Sequence, residues 1–197
     1  MSDYTISQLI SRIDTLEKQV SKLRRVESRG WEINNKLTVA AATIPIDTLP
    51  QYARHLLIVT STRTDRALGT DQFRMQINGL VGAVYDTQLA QANAAIMTVS
   101  ETFAQTSFFL GSTNGDTATA GYYASNIAWL LDYADTTKAP TLITLGGRSV
   151  SDAAGNMYEI TGYQKCRTVG AVTSLLFFPG TGPNFKATSQ ITVYGMG

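Results

Sequence analysis

The chain has 197 residues, 16 basic and 15 acidic side chains and a formal net charge of +1, without the basic surplus that nucleic-acid binding needs. One cysteine, Cys166, excludes an internal disulfide framework, and with His55 as the sole histidine no Cys/His zinc arrangement can be built. No segment approaches the ~20 apolar residues that cross a bilayer, and the N-terminus lacks the apolar stretch of a secretory signal, so neither membrane nor nucleic acid is expected as a partner.

The first predicted element is a helix. Ile6, Leu9, Ile13, Leu16, Val20 and Leu23 recur at alternating spacings of three and four, the narrow a/d seam of a coiled coil rather than the wider stripe of a globular helix. Thr5 with Gln8 fits a capping box and Gly30 a left-handed residue past the end, so the helix is predicted from about Ile6 to Ser28, roughly 35 Å long. Three heptads are marginal in water by themselves, and the seam buries little unless it meets copies of itself. The β-branched residues at a with leucine at every d lean towards a dimer. Against that, Arg12-Ile13-Asp14-Thr15-Leu16-Glu17 resembles the short Arg-h-x-x-h-Glu motif of trimeric coiled coils. There the arginine stem covers the seam and its guanidinium reaches a glutamate on the neighbouring chain, as Arg12 and Glu17 would here. A homotrimer is the expectation, with residues 1–30 as stalk and 31–197 as one head domain.

The head carries ten basic and eleven acidic residues and reads as β-structure throughout. Residues 54–64, 71–78, 125–134, 140–147, 156–169, 171–179 and 188–197 are rich in β-branched and aromatic residues and are punctuated by Gly, Pro, Asn and Asp. Seven or eight strands are predicted. Phe73, Met75 and Ile77 alternate with Gln72, Arg74 and Gln76, as one buried face requires. "DTQLAQANAAIM" (86–97) reads as a short helix or an irregular loop. No repeat of 20 to 50 residues appears, which argues against a solenoid or propeller. The predicted fold is mainly β: an antiparallel, jelly-roll-like β-sandwich preceded by a trimeric coiled-coil helix. The closing "QITVYGMG" places Ile191, Val193 and Gly195 on one face and Thr192 and Tyr194 on the other, and is predicted as a strand paired inside the sheet.

Catalytic devices are sparse. His55 has no G-x-S-x-G elbow to serve. Cys166 lies between Lys165 and Arg167, a setting that favours a thiolate, but a small residue in a strand is the simpler reading. Glu159, Asp132 and Asp135 are the carboxylates available for glycoside cleavage, and their ordinary role is as solvated strand and turn residues. Gly79 and Gly82 lack the Gly-Lys-Ser/Thr of a phosphate loop, and Asn78-Gly79 fits a tight turn or bulge. No catalytic, cofactor or metal residues are assigned, and no enzyme is expected. The stretch "GSTNGDTATAGYY" (111–123) is the candidate ligand-contact loop, with Ser112, Asn114, Asp116, Tyr122 and Tyr123 suited to sugar or protein contact; a surface turn is the alternative.

Four motifs in order carry a family likeness. "ATIPIDTLPQYARHLLIVTSTRTD", "QFRMQINGLVGAVYD", "NIAWLLDYADTTKAPTLITLGG" and "SQITVYGMG" resemble a β-sandwich domain of tailed-phage virion proteins, over nearly all of residues 37–197. Arg63, Asn78, Gly79, Gly82, Tyr85, Asp86, Asp132, Tyr133, Ala134, Thr137, Lys138, Ile191, Tyr194 and Gly195 stand where that pattern expects them, whereas Leu80 replaces the acidic residue after Asn-Gly and argues against a metal there. The resemblance implies a non-enzymatic structural protein on the virion surface, made in the host cytoplasm and partnered by other phage virion proteins, while the heptads independently imply that it partners itself as a homotrimer. A capsid decoration or short head spike is favoured. A minor tail or baseplate protein whose head binds a host surface glycan is the alternative.

Overall fold

A computed structural model describes residues 31–93, 96–149 and 157–197, together with Arg12, Asp14, Thr15, Glu17 and Lys18. Those five N-terminal residues have helical backbone and exposed side chains, including both members of the Arg12 and Glu17 pair. The seam positions Ile6, Leu9, Ile13, Leu16, Val20 and Leu23 lie outside the described residues.

Twelve strands follow in the described head. They are β1 (Glu32–Lys36), β2 (Ile44–Ile46), β3 (His55–Thr62), β4 (Thr70–Ile77), β5 (Tyr85–Asn93), β6 (Ile96–Gln105), β7 (Phe108–Asn114), β8 (Ala124–Leu131), β9 (Thr141–Ser149), β10 (Met157–Cys166), β11 (Leu175–Pro179) and β12 (Gln190–Met196). They form an eight-stranded sheet, β1-β12-β3-β8-β9-β10-β5-β6, and a four-stranded sheet, β2-β11-β4-β7, with every strand pairing antiparallel. Without the β5–β6 and β9–β10 hairpins the order is β1-β12-β3-β8 over β2-β11-β4-β7. First and last strands pair, and the chain crosses between sheets at every step except β4 to β7, which pair within the smaller sheet; this is jelly-roll order. The two hairpins widen the larger sheet, so that it overhangs the smaller one.

The core lies between the sheets. Leu56, Ile58, Leu130, Leu142, Ile191 and Val193 from the large sheet meet Ile44, Phe73, Met75, Leu110, Leu175 and Phe177 from the small one, all buried. Phe73 stacks on Phe177 at 5.9 Å between ring centroids and meets Phe185 edge-on at 5.6 Å. The alternation expected of Phe73, Met75 and Ile77 is present, each being at most 1% exposed. The C-terminal strand is β12, paired with β1 on one side and β3 on the other, with Ile191, Val193 and Gly195 turned inward. Trp31 packs directly on Gly195: a Cβ there would stand 2.1 Å from the indole nitrogen.

Two expectations are corrected. The strand number exceeds seven or eight because β1 and β2, though alternating, are only 5 and 3 residues long, and because β6 and β7 lack strict alternation; nine of the ten residues of β6 are exposed, so no buried face is written into its sequence. Residues 86–93 are neither helix nor loop but belong to strand β5, and Ile96 and Met97 open β6. Alanine and glutamine favour a helix here, yet β5 pairs with β10 over nine residues, Tyr85 to Asn93, and that ladder overrides the local preference.

Candidate functional site

The residues that carry the family likeness are fixings of the framework. Asn78 and Gly79 have φ of +50° and +65° and close a turn in which the Leu80 amide donates to the Ile77 carbonyl at 2.9 Å. The Asn78 side chain then clamps a distant loop: its Oδ1 accepts from the Thr173 and Ser174 amides at 2.7 and 3.2 Å, and its Nδ2 donates to the Ala171 carbonyl. The buried Tyr85 hydroxyl donates to the Leu80 carbonyl and accepts from the Ile77 amide, and burial pushes its pKa up to about 12. Asp86 takes a forked pair of bonds from Arg167 at 2.9 and 2.6 Å, and these hold its carboxyl below the usual range.

Asp132 is the hub of a second corner. It accepts from Arg54 at 2.7 Å and Lys138 at 3.0 Å, which bring its pKa down to about 2. Its backbone amide donates to His55 Nδ1 at 2.9 Å, and the neighbouring Tyr133 hydroxyl donates to the Pro50 carbonyl. The lone histidine is thereby a turn fixing, its Nδ1 an acceptor. Asp135 shares Lys138 and also accepts from the Thr137 amide and hydroxyl. Glu159, opposite Gly147 and in turn Ser125, sits at the other end of the strands, roughly 20 Å from Asp132 at the rise of an extended chain. The three carboxylates do not converge. Cys166 is fully buried on the inner face, and both flanking cations are drawn to Asp86. No group of three metal-ligating side chains exists among the described residues.

The candidate ligand-contact loop is divided by the fold. Ser112 and Asn114 belong to β7; Asn114 is fully buried, with its amide donating to the Ser149 carbonyl. Asp116 is exposed and paired with Lys186, which holds its carboxyl low. Tyr122 and Tyr123 are half-buried, the latter hydroxyl meeting the Ala187 carbonyl and Thr188. Beneath the loop, the buried Arg63 guanidinium donates to the carbonyls of Thr119 at 2.8 Å, Ala118 at 2.7 Å and Asp116 at 3.1 Å. The loop is thus a held corner.

The surface that stands out is the outer face of the eight-stranded sheet. The register sets Tyr194 opposite Leu57, Leu57 opposite Trp129, Trp129 opposite Ile143 and Ile143 opposite Tyr163, an apolar tier across five strands. A second tier runs Val59, Ile127, Leu145, Thr161, Ala90 and Val99. Ile143, Leu145, Tyr163 and Val99 are 38, 42, 54 and 70% exposed. Glu32 ends the first tier at one edge and Gln88 with Glu101 at the other, so an apolar centre has a polar rim. Beside Gly146 and Gly147 the face dips into a groove of about 840 Å³, lined by Tyr123, Ile127, Leu145 and Met157. By contrast, β4 turns Gln72, Arg74 and Gln76 outward on the other sheet. The sequence does carry a sign of this face: "LLIV" in β3 and "IAWLL" in β8 are continuous apolar runs, the mark of strands covered on both sides.

The fold is a widened jelly roll. No family model and no curated protein matches the sequence. Among solved structures, the chain is similar to a toad ovary galectin in complex with thio-digalactose at 9% identity and TM-score 0.31, over 78% of this chain and 99% of that one. It is similar to Eiger TNF from S. frugiperda at 9% identity and TM-score 0.26, over 86% and 94%. A Caenorhabditis elegans galectin aligns at 9% identity and TM-score 0.25, over 83% and 94%. The assignment of the jelly roll here rests on strand order.

Proposed function

We propose that this protein is a non-enzymatic structural protein of a tailed-phage virion, displayed on the particle surface as a homotrimer, with capsid decoration favoured over a place in the tail or baseplate. The observation that carries self-association is the outer sheet face: eight large apolar side chains from β3, β8, β9, β10 and β12 are presented together, in a chain whose N-terminus independently repeats a coiled-coil seam. One partner, a second copy of the same chain, accounts for both. The four phage-like motifs supply the virion setting. Their residues hold turns and corners, as a structural head requires, and the carboxylates that a glycosidase would need are separated.

The test is sedimentation of the full chain, wild type against Ile143→Glu/Leu145→Glu. Both side chains are already exposed in the single subunit, so the fold of each head is kept while two apolar contacts become like charges. At ~1.5–3 kcal/mol for each large apolar side chain buried, self-association weakens by ~100-fold or more. The wild-type chain sediments at three times its 21.3 kDa. A wild-type monomer, or absence of the protein from purified particles, overturns the proposal; copy number per particle separates shell from tail.

A further inference from the structure

We infer that the corner where the overhanging β5–β6 hairpin meets β4 and β7 is a binding site for a carboxylate-bearing sugar unit. This does not rest on the trimer, since the corner opens on the side of the smaller sheet, away from the apolar outer face. The groove measures about 210 Å³, room for a single pyranose ring.

The overhang creates it. β7 is the last strand of the smaller sheet, and β5–β6 continues past it in the larger sheet. Gln164 seals the back of the corner by acting as a stand-in for a neighbouring strand: its Oε1 accepts from the Phe109 amide at 2.8 Å and its Nε2 donates to the Phe109 carbonyl at 2.6 Å. Thr87 fixes Gln164 in turn, at 3.1 Å. With the back closed, Leu89 and Phe109 give an apolar patch against which a sugar ring face can lie. Ser100, Thr102, Gln105 and Gln91 line the hairpin side with hydroxyls and amides, the planar and rotatable groups that match vicinal hydroxyls.

Arg74 decides the class. Its guanidinium meets only neutral acceptors: Gln72 Oε1 takes Nε at 2.8 Å and Nη2 at 2.6 Å, and Ser107 Oγ takes Nη1 at 3.1 Å. Among the described residues no carboxylate lies within 4.0 Å of it; burial works against its charge and outweighs the support of the nearby Asp71 charge, which is itself paired with Arg66 at 3.7 Å. The adjacent Asp71 is turned into the protein and occupied by the amides of Gln72, Thr181 and Gly182. A half-buried cation without a carboxylate of its own, set among neutral hydroxyls and amides, is complementary to a ligand that brings both a carboxylate and hydroxyls.

The experiment is a titration of the full chain, followed by amide chemical shifts, with glucuronate, glucose and acetate. Glucuronate is expected to saturate on the order of 1 mM, the strength a ligand of this size reaches. Glucose and acetate are each expected ~10-fold weaker or more, because one lacks the charge and the other the hydroxyls. Arg74→Gln is expected to remove the preference for glucuronate over glucose. Gln105→Ala, at a strand end and with Arg74 intact, is expected to weaken glucuronate by a few-fold while keeping that preference, so the result does not depend on one variant folding. Equal binding of glucose, equal binding of acetate, or no saturation far above millimolar overturns the inference.

Discussion

Replacing Arg63 with alanine tests whether the loop at 115–121 is held by its arginine or by itself. Arg63 is 6% exposed, and its guanidinium ties three carbonyls, those of Asp116, Ala118 and Thr119, at 3.1, 2.7 and 2.8 Å. Hydrogen bonds to a charged group contribute ~1.5–3 kcal/mol each. Once the loop opens, water recovers much of the two outer bonds, because Asp116 and Thr119 are exposed, whereas Ala118 is buried. Counting the Ala118 bond in full and the other two in small part gives a loss of ~3 kcal/mol. For a domain of this size ~2–4 °C of melting midpoint accompanies each kcal/mol, so a fall of ~6–12 °C is expected by calorimetry. Hydrogen exchange at residues 115–121 should accelerate more than at β3, whose Arg63 end is also clasped through its backbone by Ser189. Arg63→Lys, which can satisfy at most part of the set, should fall between. A midpoint within roughly 2 °C of wild type, or unchanged protection in the loop, refutes the reasoning.

Gly146→Ala should destabilise the head by ~1–3 kcal/mol, since the new Cβ would stand 1.9 Å from Asn126 Oδ1, and Asn126 is tied to the Ser112 carbonyl and cannot simply withdraw; an unchanged denaturant midpoint sinks this. Acid should act through the turn carboxylates. The folded pKa of Asp132, about 2, is below the ordinary ~3.9, so its contribution is fully present above about pH 4 and is lost as pH falls through about 2; Asp86 and Asp116 shift in the same direction. Asp132→Asn should flatten that part of the stability-against-pH curve, and a curve of unchanged slope between pH 4 and 2 contradicts the assignment.

Read alone, the sequence determined most of the central sandwich. Where a strand faces a core on one side, burial writes alternation directly into it, and Phe73, Met75 and Ile77, or Ile191 and Val193, could be placed before any fold was known. Turn chemistry was legible for the same local reason: Asn78 and Gly79 carry their positive φ in their residue types. The β5–β6 hairpin was not legible, because an edge strand exposed on nearly every residue leaves no period to read and its ladder to β10 joins residues some seventy apart. Nor was the loop at 111–123, whose order comes from Arg63, fifty residues earlier. The apolar outer face was signalled in the sequence only by the continuous runs of β3 and β8; its assembly, and the whole of the Arg74 corner, were decided by tertiary structure. Tyr194, Leu57, Trp129, Ile143 and Tyr163 become one surface only through the registers of five strands, and Arg74 meets Ser107 beside Leu89 only because two sheets of unequal width are stacked. Alternation tells which way a side chain points; only strand order and register tell what lies next to it.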